Sequence, residues 1–111
     1  MPMNFDEAAA GASRTRELYR QLEQRRYGRE WDVRDLFIGF QGDVGDLAQL
    51  LGAQQGIRPA PENMEAAIAH ELADCLWSLL VIAGELGVDL EAAYADLLEE
   101  LTVRVTRKLA E

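Results

Sequence analysis

Apolar residues recur along this chain at the three-to-four-residue spacing of an amphipathic helix, and no stretch alternates as a strand would. Four helical segments follow from that spacing. The first is expected from about Asp6 to Tyr27, with Asn4 as its N-cap and Gly28 just past its end; residues 1–5 are otherwise expected to be disordered. Its apolar positions are sparse (Leu18, Tyr19, Leu22), which predicts a peripheral helix. The second is expected from about Val33 to Leu51, with Asp32 as N-cap, Asp35 in the first turn and Gly52 after the last. A loop holding Gly56, Pro59 and Pro61 leads to the third, about Glu62 to Leu86, which Gly87 ends. Asp89 then caps a fourth helix that runs to the C-terminus, where Arg104, Arg107 and Lys108 complement the macrodipole. The chain reads as a single all-α domain over residues 1–111, a protomer resembling a four-helix bundle.

Within the third segment, Leu76-Trp77-Ser78-Leu79-Leu80-Val81-Ile82-Ala83 is apolar on almost every side and calls for burial on most of them. Three further helices from 111 residues would struggle to cover it together with their own apolar faces. A homo-oligomer is therefore expected, either a homodimer or a homotetramer built as a dimer of dimers. The same run is too short to span a bilayer, and the N-terminus lacks the basic and apolar regions of a signal peptide, so no membrane partner is expected. The one cysteine, Cys75, rules out an intramolecular disulfide and suits a reducing, cytoplasmic setting; with no basic neighbour in sequence it reads as a buried structural thiol. Twenty acidic against eleven basic residues leave a formal net charge of −9 at pH 7, which repels duplex nucleic acid and leaves small phosphorylated ligands accessible only with a metal ion.

The acidic residues are not spread evenly. Asp43 and Asp46 lie three apart on the second helix, beside the stripe Phe40, Val44, Leu47, Leu51. Glu71 and Asp74 repeat that spacing on the third, beside Ile68, Leu72, Cys75, Leu79. If the two helices pack antiparallel, the four carboxylates converge, and four so close cannot all ionise without a counter-charge. Mg²⁺ or Mn²⁺, held by carboxylate oxygens and water, supplies one; ordinary solvated helix faces are the competing reading. Gly39, Gly42 and Gly45 interleave with the first pair, and each costs about 1 kcal/mol relative to alanine in a helix. That cost points to close approach of the backbone to a neighbouring helix or a ligand.

Gly42-Asp43-Val44-Gly45-Asp46-Leu47 and Glu71-Leu72-Ala73-Asp74-Cys75-Leu76-Trp77 together resemble the MazG-like all-α NTP pyrophosphatases. That family carries E-x-x-E on one helix and E-x-x-D on the next. Glu71 and Asp74 match the second motif, and Asp43 and Asp46 stand at the ligand positions of the first, each shortened from Glu. The similarity runs from Trp31 through Leu90 and is nearest to the small dCTP-pyrophosphatase-like members. It implies that Asp43, Asp46, Glu71 and Asp74 ligate Mg²⁺ and serve the hydrolysis of a nucleoside triphosphate to a monophosphate and pyrophosphate. It also implies a homodimer with the nucleoside pocket partly at the interface, and a role in clearing the nucleotide pool.

The pattern departs from the family at its basic positions. A Lys and an Asn that the family carries on the last helix fall near Leu97 and Leu101, which leaves Arg104, Arg107 and Lys108 as cations there. Upstream, Trp31-Asp32-Val33-Arg34-Asp35 retains only Arg34 of a family segment that precedes the first motif. Trp31, Arg34 and Arg104 are the candidate substrate-binding residues. Trp77 is expected in the core or at an interface, and His70 to be idle despite its place next to Glu71. A catalytically degenerate helical dimer, acting as a binding or regulatory module, is the rival to the enzyme.

Overall fold

Each helix begins where a side chain takes over backbone N–H groups that the first turn leaves free. The computed structural model describes residues 2–56 and 60–111 and resolves α1 (Phe5–Tyr27), α2 (Val33–Gln54), α3 (Met64–Leu86) and α4 (Leu90–Leu109). At α1 the Asn4 side chain accepts from the Glu7 N–H at 2.8 Å while Glu7 accepts from the Asn4 N–H, a capping box. The box sets the start of the helix at Phe5, the last residue of the segment 1–5. Asp32 and Asp35 form the same reciprocal box at α2, at 2.9 and 3.0 Å.

Two boundaries differ from the expectation. Gly52 does not end α2; its φ stays helical, and the helix continues to Gln54 before Gly56 takes the left-handed turn at φ 81°. Helix α3 starts two residues later than expected because Asn63, accepting from the Ala66 N–H, is the better cap. Pro59, part of the expected loop, lies outside the described residues. Gly87, at φ 68°, closes α3, and the Val88 N–H reaches back to the Ala83 carbonyl at 2.9 Å. Among the described residues there is no strand.

Helices α2 and α3 pack antiparallel: Leu36 meets Val81 at one end, and Ala53 shares a cavity with Ala66 and Ala67 at the other. Helix α1 crosses α3, placing Ala12 against the same Leu36–Val81 contact, with Trp77, Leu80 and Ile82 around it. That is a small core, and among the described residues no large side chain is fully buried. Helix α3, expected to be covered on most sides, buries only Ser78, Val81 and Ala83 and leaves Leu72, Leu76, Leu79 and Leu86 half exposed. The fourth helix buries no residue at all. The protomer is therefore all-α, but within one chain its helices close as three, with α4 extending away from them. Among the described residues α3 alone is, by length and composition, apolar enough to cross a bilayer, at a mean hydropathy of 1.6; the central helix of a helical core has the same property.

Candidate metal centre

Antiparallel packing sets the middle of α2 against the first half of α3, and the two acidic pairs meet there. One oxygen each from Asp43, Asp46 and Glu71 lie within 4.8 Å of one another, and ligand atoms of His70, Glu71 and Asp74 form a second such group. Glu71 belongs to both, so it is the hinge of the cluster. Its Oε2 is buried and has no hydrogen-bond partner. His70 Nε2 stands 3.1 Å from Asp74 Oδ2, one helical turn away. Among the described residues no Lys or Arg forms an ion pair with any of the four acids.

The electrostatics follow from that composition. Burial pushes the Asp43 carboxyl above its ordinary range, and the charges of Asp74 and Asp46 add to the effect while His70 opposes it. Burial raises Glu71 as well, reinforced by Asp74, Asp46 and Asp43. The Cys75 thiol is raised first by burial and then by the same carboxylates, which keeps it protonated and unreactive. A buried carboxylate oxygen with no donor, inside a ring of oxygen ligands, fits a hard divalent cation such as Mg²⁺ or Mn²⁺.

Beside the cluster lies a cavity of about 660 Å³. Asp43, His70 and Asp74 form one wall, and Tyr19, Trp31 and Trp77 face it from α1, the α1–α2 link and α3. Trp77, expected in the core or at an interface, packs against the core and also borders this space. Its Nε1–H donates to the Thr15 hydroxyl at 2.7 Å, and Tyr19 meets its ring edge-to-face at 5.5 Å. Trp31 is held through its backbone by a buried ion pair. Arg16 donates to Glu23 from Nη1 at 2.7 Å and from Nη2 at 3.2 Å, and Nη2 also donates to the Trp31 carbonyl at 2.9 Å. The Trp31 N–H in turn donates to Glu23 Oε1 at 2.7 Å. Burial alone would raise Glu23, but these donors outweigh it and hold its carboxyl below the usual range.

Not every candidate reaches the site. Arg34 is exposed and lies half a helical turn around α2 from Asp43, so it faces away. Arg104 sits on the outlying α4, paired with Glu100 at 3.0 Å. Gly39, Gly42 and Gly45 do not serve close packing within the protomer: a Cβ added at any of them meets nothing within 4 Å. Sequence reasoning missed the Arg16–Glu23 clamp, although the two residues are seven apart on one helix face, the only signal that was present. Compared with known proteins, the chain matches no family model, no curated protein and no solved structure.

Proposed function

We propose that the chain is a divalent-cation-dependent nucleoside triphosphate pyrophosphohydrolase, which converts a (d)NTP and water to the (d)NMP and pyrophosphate. The observation that carries this reading is the convergence of Asp43, Asp46, Glu71 and Asp74 around a buried, unpartnered Glu71 oxygen, next to an aromatic-walled cavity. The resemblance of the two acidic motifs to MazG-like pyrophosphatases supports it. These four residues would hold Mg²⁺ or Mn²⁺. Bound there, the cation offsets the triphosphate charge and acidifies its water.

The chain's own groups supply the remainder. A carboxylate with a raised pKa accepts a proton from the attacking water as the new bond to the α-phosphorus forms. The α-phosphorus–oxygen bond to the β-phosphate breaks, and pyrophosphate leaves. Trp31, Trp77 and Tyr19 offer ring faces and edges for a nucleobase. Clearance of surplus or non-standard nucleotides is the role such a reaction suits.

One observation favours a second reading, a helical metal-binding module without the reaction. The guanidinium of Arg16, among the described residues the one Lys or Arg side chain lining the aromatic cavity, is committed to Glu23. Pyrophosphate release from a panel of standard and modified (d)NTPs, with Mg²⁺ or Mn²⁺ and beside Glu71→Gln, separates the two. Release that the variant abolishes establishes the enzyme. Metal-dependent stabilisation without turnover supports the second reading, and neither effect removes both.

A further inference from the structure

Arg16 is the most deeply buried charge among the described residues, at 2% exposure. Its two terminal nitrogens are spent on Glu23 and the Trp31 carbonyl. Its Nε is buried as well and has no hydrogen-bond partner. Glu85 Oε1 stands 3.7 Å from it, near enough for an ion pair and too far for a hydrogen bond, and that same oxygen accepts from Arg20 Nη2. A buried donor left without an acceptor is uncommon in a folded protein and calls for an explanation.

Arg16 helps to line a cavity of about 360 Å³ where α1, the end of α3 and the start of α4 meet. Among the described residues it is the only one this cavity shares with the aromatic cavity, and none of Asp43, Asp46, Glu71 and Asp74 borders it. The site is therefore separate from the acidic cluster and independent of the pyrophosphohydrolase reading.

The wall combines donors, acids and apolar surface. Two helices begin at it. Asn4 caps the Glu7 N–H of α1, and Asp89 caps the Ala92 N–H of α4. Those caps leave the N–H groups of Phe5, Asp6, Leu90 and Glu91 free at the positive ends of the two helices, and all four residues line the cavity. Phe5, Leu80, Val81 and Val88 supply apolar surface.

Charge balance selects the ligand. Arg16 and Arg20 stand against Asp6, Glu85, Asp89 and Glu91. A plain anion would satisfy Arg16 Nε and be repelled by the carboxylates, which outnumber the guanidiniums. A plain cation would suit the carboxylates and leave the buried donor unmet. A molecule carrying both charges close together answers both, and the apolar surface asks for an apolar body. The volume lies at the lower end for small-molecule pockets.

We propose that this cavity binds a free α-amino acid with an apolar side chain. Its carboxylate accepts from Arg16 Nε, its ammonium lies among Glu85, Asp6 and Glu91, and its side chain packs on Phe5, Val81 and Val88.

Isothermal titration of the full-length chain with leucine, valine, methionine and phenylalanine tests it. At least one should bind with a dissociation constant of about 1 mM or below. The analogues that lack one charge, for leucine 4-methylpentanoate and 3-methylbutylamine, should bind at least about tenfold more weakly, as should inorganic phosphate. Gly84 lines the cavity, and a Cβ built on it meets nothing within 4 Å, so Gly84→Leu extends into the space and should abolish binding. Ala9→Leu fills the cavity from α1 and should do the same, and circular dichroism checks that both variants stay helical. No heat from any of the four amino acids at about 10 mM overturns the proposal. Binding that survives in both filled variants lies elsewhere and also overturns it. Phosphate or the carboxylate analogue binding as tightly as the amino acid, and lost in the filled variants, overturns it in favour of a plain anion site.

Discussion

Glu23 is buried on α1 and Glu71 is half-buried on α3, with one oxygen out of reach of solvent, and their surroundings make opposites of them. Glu23 faces a guanidinium and a backbone N–H, so every donor near it favours the charged form and its carboxyl titrates low. Glu71 faces three other carboxylates, one of its oxygens has no donor, and it titrates high. The first arrangement finds its positive charge within the chain and acts as structure, locking the α1–α2 link to α1. The second lacks a positive charge, as expected of a group whose partner comes from outside. Burial of an acid is thus uninformative until its neighbours are counted.

The sharpest way to break this contrast is to remove one half of the completed pair. Arg16→Met leaves Glu23 buried without its guanidinium and should cost about 3–5 kcal/mol in urea denaturation. The double variant Arg16→Met/Glu23→Gln should be the more stable of the two, since it leaves no isolated charge. The reverse order would mean that Glu23 is solvated and the pair incidental.

Next in size is the response to metal. Mn²⁺ at a hundred times its dissociation constant should stabilise the fold by about 2.7 kcal/mol. That amounts to a melting-temperature rise on the order of 10 °C. Glu71→Gln should abolish that rise and, in metal-free buffer, melt higher than the wild type because a repelling charge is gone. Glu23→Gln should lower the starting temperature and leave the metal increment intact. An equal increment in Glu71→Gln would detach the metal from the cluster.

The pH dependence should split the same way. Asp43 and Glu71 have raised pKa values in the folded state. Their contribution is present below the unfolded values of about 3.9 and 4.3, and is lost as pH rises through the folded ones. Glu23 and Asp35 are lowered, so theirs is present above about 4 and is lost as pH falls through their folded values. Melting temperature against pH without metal should show both slopes, with Glu71→Gln flattening the upper and Glu23→Gln the lower. The smallest effect belongs to Trp77→Phe, which removes the bond to the Thr15 hydroxyl and should cost about 1 kcal/mol by thermal unfolding.

Most of this architecture was legible in the amino-acid order because caps are local. Asn4, Asp32 and Asp89 begin helices, and Gly28 and Gly87 end them, through contacts within four residues. The acidic convergence was legible for the same reason, since i,i+3 spacing fixes which residues share a face and two adjacent helices must pack. What stayed hidden depends on the third dimension. Arg16 and Glu23 are indistinguishable in sequence from the exposed charges around them, such as Arg14, Glu17 and Arg25. Trp77 reads as core from its apolar neighbours and does pack against the core, but that its ring also borders a cavity depends on where α1 lies. Gly52 looks like a stop signal, and only the continued hydrogen bonding to Gln54 shows otherwise.

The Trp31 amide has a further consequence. It lies in the link between α1 and α2, outside any helix, where amides ordinarily exchange with solvent deuterium quickly. Because it donates to a buried carboxylate, it opens only when α1 itself opens. Its exchange should therefore be as slow as that of helical amides, while Arg29 and Glu30 beside it exchange freely. The link would then belong to the same cooperative unit as the first helix, though it looks like a loose tether.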